Sequence, residues 1–317
     1  MNSIVLAFNA VFPLLAFMVI GYLLGVIGLF KKSTADGINA LVFKVFLPCS
    51  IFQSIYNADI RSTFDWKLGL FVGVSCIISY ILITLIVNHF EKDKTVAPVM
   101  IQGIHKANYN LLVISIVSSF FGTEIGMAAV LVVVITPIVN TCSTHAFESA
   151  RGSSSMHGKT GFFKLLKKII LNPMVFSSLL GLAVSLSGIK LPGLIMNSVV
   201  SKLAAMATPA AMLALGCGFN FKTMKKWIRH LAYVCAGKLI ILPLIIVTIT
   251  VLLGVRGANL IAVLLFSGAP AAVNSYSTAV SMGGNEELAG EIVAVTSLLS
   301  VFTLFGFLSI LGTMGYI

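Results

Sequence analysis

Gly103-Ile104-His105-Lys106-Ala107-Asn108-Tyr109-Asn110 and Gly268-Ala269-Pro270-Ala271-Ala272-Val273-Asn274-Ser275 each interrupt a stretch that is otherwise apolar. Proline withholds a backbone donor and clashes with the preceding turn, while glycine and asparagine weaken a helix interior. Both stretches are therefore expected to be broken helices. In hydrocarbon, backbone groups freed by such a break are tolerated only where protein or a water-filled cavity satisfies them. Lys106 lies ~16 Å into its apolar segment at about 1.5 Å per residue, which puts the break near the middle of a ~30 Å hydrocarbon core.

The two breaks belong to a repeat. Pro13, Gly21 and Gly28 recur as Pro173, Gly181 and Gly188, each 160 positions later. Pro48 and Trp66 recur as Pro209 and Trp227 at an offset of 161, and Gly122 as Gly284 at 162. The same offset sets Asn108 and Tyr109 opposite Pro270. Ten apolar segments are long enough to be spans: roughly 4–28, 35–56, 66–89, 95–120, 123–147, 172–187, 194–219, 230–253, 257–282 and 287–314. Five spans per repeat is an odd number, so the halves must be inverted. The expected fold is an all-α integral membrane protein of ten transmembrane helices in two inverted five-helix repeats, with broken crossing helices 4 and 9. Residues 1–147 form the first repeat, 148–171 a cytoplasmic linker and surface helix, and 172–317 the second repeat. Inverted repeats with discontinuous helices at matched positions are the pattern of secondary transporters, with the site near the bilayer midplane.

Composition agrees. The chain is 58% hydrophobic and 10% charged with mean hydropathy +1.04, against about 25% charged residues in soluble domains. Its net charge of +11 is a topology signal rather than a nucleic-acid footprint. With the N-terminus outside, the inner loops hold thirteen basic residues: Lys31, Lys32, Lys92, Lys94, Arg151, Lys159, Lys164, Lys167, Lys168, Lys222, Lys225, Lys226 and Arg229. The outer loops hold four, Arg61, Lys67, Lys190 and Arg256. The positive-inside rule then places both termini outside the plasma membrane. Met1-Asn2-Ser3 lacks the basic leader of a secretory signal, so the first segment is expected to stay as a span. The serine- and glycine-rich stretch 148–161 reads as a linker, and the basic, amphipathic 162–170 as a helix on the inner surface. Cys49, Cys76, Cys142, Cys217 and Cys235 show no ligand spacing and read as reduced thiols, with no metal or cofactor expected. No HExxH, paired intramembrane aspartate or nucleophile motif supports an enzyme.

Four lysines fall inside spans: Lys44, Lys106, Lys202 and Lys238. A lysine at a helix centre costs roughly 2.5–3.5 kcal/mol on insertion scales. Lys202 and Lys238 are expected to snorkel to the surfaces and Lys44 to face a helix interface, all in supporting roles. Lys106 differs, because His105 and the break adjoin it. Half-helix N-termini beyond Asn108 and Asn274 carry partial positive charge. Together with the Lys106 ammonium, the His105 imidazole and the Asn108 amide they make a site for a small anion, bounded also by Tyr109, Pro270 and Ser275. Thr296 and Ser297 are candidates for a supporting polar path in span ten. Glu124, Glu286 and Glu287 follow Thr123 and Asn285 as first-turn acids, which is ordinary helix-start chemistry, while Glu291 lies a turn deeper.

Pro270-Ala271-Ala272-Val273-Asn274-Ser275-Tyr276, Met282-Gly283-Gly284-Asn285-Glu286-Glu287-Leu288-Ala289-Gly290 and Thr296 to Ser300 resemble the ninth and tenth spans of the auxin efflux carrier family. Lys238-Leu239-Ile240-Ile241-Leu242-Pro243-Leu244 is similar to its eighth. Gln102-Gly103-Ile104-His105-Lys106-Ala107-Asn108-Tyr109 resembles the family's first crossover, with Lys106 for its usual arginine and Ala107 for its serine. The Gly-Leu-Pro-like run that follows there is absent, and Val113-Ile114-Ser115 stands in its region. The resemblance implies two crossing broken helices and transport of small carboxylates such as auxin, malate or malonate. It carries the family's crossover Asn and Pro onto Asn108 and Pro270. It also implies an elevator movement, with spans 1–2 and 6–7 as scaffold and spans 3–5 and 8–10 carrying substrate. The partners expected are a small organic anion and membrane lipid, with homodimerisation left open and no nucleic acid. The competing readings are a sodium- or proton-coupled symporter, as in the bile-acid symporters of similar architecture, and a membrane ligand sensor.

Overall fold

The computed structural model describes residues 3–57, 65–109, 117, 126–151, 167, 169–218 and 221–317. Asn110, Gly122, Thr123, Glu124, the linker from 152 onward and most of the surface segment 162–170 lie outside them. The described helices are α1 (Ser3–Val26), α2 (Lys32–Tyr56), α3 (Trp66–Phe90), α4 (Ala97–His105), α5 (Gly126–Ala150), α6 (Pro173–Ser187), α7 (Leu194–Gly218), α8 (Phe221–Lys226), α9 (Ile228–Leu252), α10 (Gly257–Gly268), α11 (Asn274–Ser281) and α12 (Glu286–Thr313). Among the described residues there is no strand. Five helices, α2, α3, α7, α9 and α12, are long and apolar enough to cross a membrane, and α6 and α10 are shorter apolar helices.

α3 shows why the chain needs a membrane. Leu70, Ile78, Leu82, Leu85 and Ile86 are exposed along one face, while the buried face carries Gly69, Gly73, Cys76, Ser79 and Tyr80. Large aliphatic side chains point outward, while the buried face mixes these small and polar groups with Leu68, Val72, Ile83 and Val87, so the helix has no polar outer face of the kind a soluble amphipathic helix shows. Asp65 caps this helix by accepting from the Lys67 and Leu68 N–H groups.

Several of the recurring glycines and tryptophans stand in similar local settings. Gly28 and Gly188 both follow a span with left-handed backbone, φ 76° and 72°. Gly21 on α1 touches α7 so closely that a Cβ would stand 2.2 Å from the Leu213 carbonyl oxygen. Gly181 on α6 similarly faces α2, with the Phe52 oxygen 3.2 Å from its virtual Cβ. Trp66 opens α3 and Trp227 caps α9. Each of α2, α7 and α9 contains a π-helical turn, at Val42–Phe46, Leu194–Val200 and Gly237–Ile241, and each carries a proline C-terminal to that turn, Pro48, Pro209 or Pro243. Among the described residues, the backbone hydrogen bonds that join different spans all lie within spans 3–5 and 8–10.

Two sequence expectations need correction here. Lys238 does not snorkel: it is fully buried, and its Nζ has no hydrogen-bond partner. It continues the interior stripe Leu231, Val234, Lys238, spaced three and four residues apart on one helix face. Lys44 does not face a helix interface. It is exposed on the π-helical turn whose buried face is Val42, Phe43 and Phe46. Lys202 is exposed as expected. As the sequence implied, Asn285 caps α12 by accepting from the Leu288 N–H, with Glu286 and Glu287 in the first turn. Those two acids also form ion pairs, with Lys32 at 2.5 Å and Lys226 at 3.1 Å.

Candidate functional site at the helix crossing

α4 stops at His105 because Lys106 is extended, φ −89° and ψ 106°. α10 stops at Gly268, with Ala269 extended at φ −65° and ψ 154°. The two unwound segments lie antiparallel and pair at Ala107 and Ala271. The Asn108 N–H donates to the Pro270 carbonyl at 2.8 Å, and the Ala272 N–H donates to the Lys106 carbonyl at 3.0 Å. Each break thus satisfies backbone groups that the other frees, which is the condition for irregular backbone at this depth. Thr296 on α12 completes the accounting. Its Oγ1 accepts the Ala271 N–H at 3.1 Å and donates to the Ile292 carbonyl at 2.6 Å.

Beside the crossing is a cavity of about 200 Å³. The first break supplies Lys106, Ala107, Asn108 and Tyr109 to its wall, and the second supplies Ala272, Val273 and Asn274. Opposite them stand Ser50 and Ser54 of α2, Thr136 and Asn140 of α5, and Thr208 of α7. Lys106 is 3% exposed, and among the described residues the hydrogen-bond partner of its ammonium is the Met174 thioether at 4.0 Å. A thioether is a weak acceptor, and among the described residues no carboxylate pairs with this lysine. Asn108 Nδ2 and Asn274 Oδ1 are buried without partners; amide orientation is set by network rather than observed, so Asn274 can present either end. α11 begins at Asn274, aiming the positive end of its dipole at this wall. A cation, two amides and a helix N-terminus around a small cavity form an arrangement suited to an anion.

The structure divides the sequence candidates. Lys106, Asn108, Tyr109 and Asn274 meet at the cavity. Pro270 contributes its carbonyl to the crossing, and Ser275 is buried one residue past the wall. Thr296 closes the crossing from behind, Ser297 is buried beside it, and Lys44, Lys202 and Lys238 do not line the cavity. His105 turns away. Its Nε2–H donates to the Cys76 carbonyl at 3.0 Å, which fixes the tautomer, and its ring packs edge-on against Tyr80. The Tyr80 hydroxyl lies 2.7 Å from His145 Nδ1, and His145 Nε2 lies 3.3 Å from Ser149 Oγ. Sequence reasoning missed the opposite wall. Ser50 with Ser54 and Thr136 with Asn140 are polar pairs four apart in apolar spans, a spacing that places each pair on one helix face.

Comparison with known proteins is consistent over nearly the whole chain. A family described as "Membrane transport protein" matches residues 6–308. A relative from Methanothermobacter thermautotrophicus named "Uncharacterized transporter" is 25% identical over 301 residues, covering 93% of this chain and 95% of that protein. A relative from Rhizobium meliloti named "Putative malonate transporter" is 22% identical over 310 residues, covering 94% and 93%.

Proposed function

Because this chain belongs to the membrane transport protein family, the auxin efflux carrier family of the sequence resemblance, we propose that it is a secondary carrier of a small carboxylate across the plasma membrane. The observation that carries the reading is the buried Lys106 ammonium on the wall of the crossing cavity, which among the described residues has a thioether and no carboxylate as partner. A bound carboxylate supplies the missing counter-charge and accepts from Asn108 Nδ2. A short dicarboxylate such as malonate carries that charge and is the first candidate to test. The name of the Rhizobium relative points the same way.

The proposed movement is an elevator: spans 3–5 and 8–10 carry the site against a scaffold of spans 1–2 and 6–7, with both termini outside. Support comes from how the two sets are joined. Within the carrier set, backbone hydrogen bonds bind spans together. Between the sets, contacts are through side chains: Ser277 to Asn39, Lys32 to Glu286, Thr278 to Met174 and Asn140 to Ser178. Such contacts exchange during sliding more readily than a backbone ladder. The cavity lies on this boundary, walled by α2 and α7 on one side and the crossing on the other. Uptake of radiolabelled malonate and malate into proteoliposomes, with trans-acceleration by the same solute, tests the proposal. Binding without flux would mark a sensor instead.

A second reading, symport with a proton, is favoured by the series His105, Tyr80, His145 and Ser149 leading from the crossing toward the end of α5. An inward pH gradient should then raise accumulation, and His145→Ala should remove that increase while leaving exchange intact.

A further inference from the structure

Between α3 and α9 lies an apolar groove of about 1190 Å³. Leu70, Val74 and Leu82 of α3 and Ile241 and Ile245 of α9 form its walls, and Ile104 of α4 its floor. It extends along α3 from Lys67 to Glu91, ~36 Å at about 1.5 Å per residue, enough to cross the ~30 Å hydrocarbon core.

The two ends differ in charge. One holds Lys67 alone, while the other gathers Arg229, His230 and Glu91. Glu91 Oε2 is occupied by His230 Nε2 at 2.9 Å. Arg229 is exposed and, among the described residues, pairs with no carboxylate. Lys92 and Lys94 follow α3 and Lys225 lies on α8, just ahead of α9, at the end that the loop charges assign to the cytoplasm.

Two arguments choose the occupant. Helices associate in lipid through small residues and polar groups, since no hydrophobic drive separates helix from acyl chain. Ser75, Ser79, Ala236 and Gly237 are the small residues of the lining, and the walls around them are mostly leucine, isoleucine and valine, which suits an acyl chain better than another helix. The basic end then selects the headgroup, because anionic lipid concentrates in the cytoplasmic leaflet. The geometry points to a bound anionic phospholipid, with an acyl chain between α3 and α9 and its phosphate on Arg229.

Such a lipid braces the crossing from behind. The floor of the groove is the back of α4, whose next residues are His105 and Lys106. Gly237 of α9 lets that helix approach α4, its virtual Cβ standing 3.3 Å from Ile104 Cγ2.

Native mass spectrometry of the whole purified protein, offered equal amounts of phosphatidylglycerol and phosphatidylcholine, tests the assignment without any transport substrate. The parent should retain one phosphatidylglycerol in preference to phosphatidylcholine. Arg229→Gln should weaken that preference about fivefold, the contribution of one basic residue near an anionic surface, and Arg229→Lys should keep it. Ile245→Trp, on the lipid-facing wall, should displace either lipid, and Lys67→Gln should leave the preference unchanged. Equal retention of both lipids by the parent overturns the proposal, as does parent-like retention by both Arg229→Gln and Ile245→Trp. Cross-linking between copies through Ile245→Cys would make the groove a protein interface and overturn it too.

Discussion

Replacing Lys106 with methionine separates a substrate lysine from a structural one. Methionine keeps most of the stem's bulk and removes the charge. Holding that charge at mid-membrane costs roughly 2.5–3.5 kcal/mol on insertion scales, and among the described residues its hydrogen-bond partner is the Met174 sulfur at 4.0 Å. Without substrate, Lys106→Met should therefore melt at the parent's temperature or above it. Binding should behave oppositely. A charge-assisted hydrogen bond contributes roughly 1.5–3 kcal/mol, so its loss should weaken carboxylate affinity about 10- to 150-fold. Both quantities are measurable on one purified sample, melting by calorimetry and affinity by equilibrium binding of the short dicarboxylate that the parent binds most tightly. Unchanged affinity would refute the assignment of Lys106 to the anion. A large loss of stability with binding intact would show that the ammonium serves the fold instead.

Thr296→Val should remove the acceptor of the buried Ala271 N–H and destabilise the protein by about 1–3 kcal/mol, while Thr296→Ser should not; denaturation in detergent reads the difference. Gly21→Ala should disrupt folding because its methyl would meet the Leu213 backbone at 2.2 Å, whereas Gly25→Ala, at 3.3 Å from the Cys217 oxygen, should be milder in yield of monodisperse protein. Partial burial pushes the Glu91 carboxyl up, but the Asp93 N–H and the His230 imidazole outweigh it and hold it below the ordinary value. A depressed folded value means that this stability is present above the unfolded glutamate pKa of ~4.3 and lost as pH falls through the folded one. Melting temperature scanned downward from pH 7 should therefore drop less steeply in Glu91→Gln, and identical acid limbs would refute the pairing. In a cysteine-free background, single cysteines at Ser154 and Gly315 should react with an impermeant reagent from opposite sides of the membrane; labelling from one side would exclude the inverted topology.

The sequence by itself determined the class of protein and where its helices break. Long apolar segments have few alternatives to a membrane. Glycine, proline and asparagine weaken helices through local chemistry, so Gly103–Asn110 and Gly268–Ser275 were readable without knowing any neighbour. Gly28 and Gly188 were legible as anchors for the same local reason, since both adopt a backbone that side chains rarely tolerate. Facing is a different matter. Along an apolar span, both lipid and protein interior accept leucine and isoleucine, so hydrophobic periodicity does not tell inside from outside. Only the packing of α4 against α3 turns His105 toward Cys76 while Lys106, the next residue, enters the cavity. Only the interior stripe of α9 buries Lys238, where its distance from the span end had suggested escape to the surface. The cavity's far wall, from Ser50 to Asn140, joins spans distant in sequence, and only tertiary structure decides which spans meet.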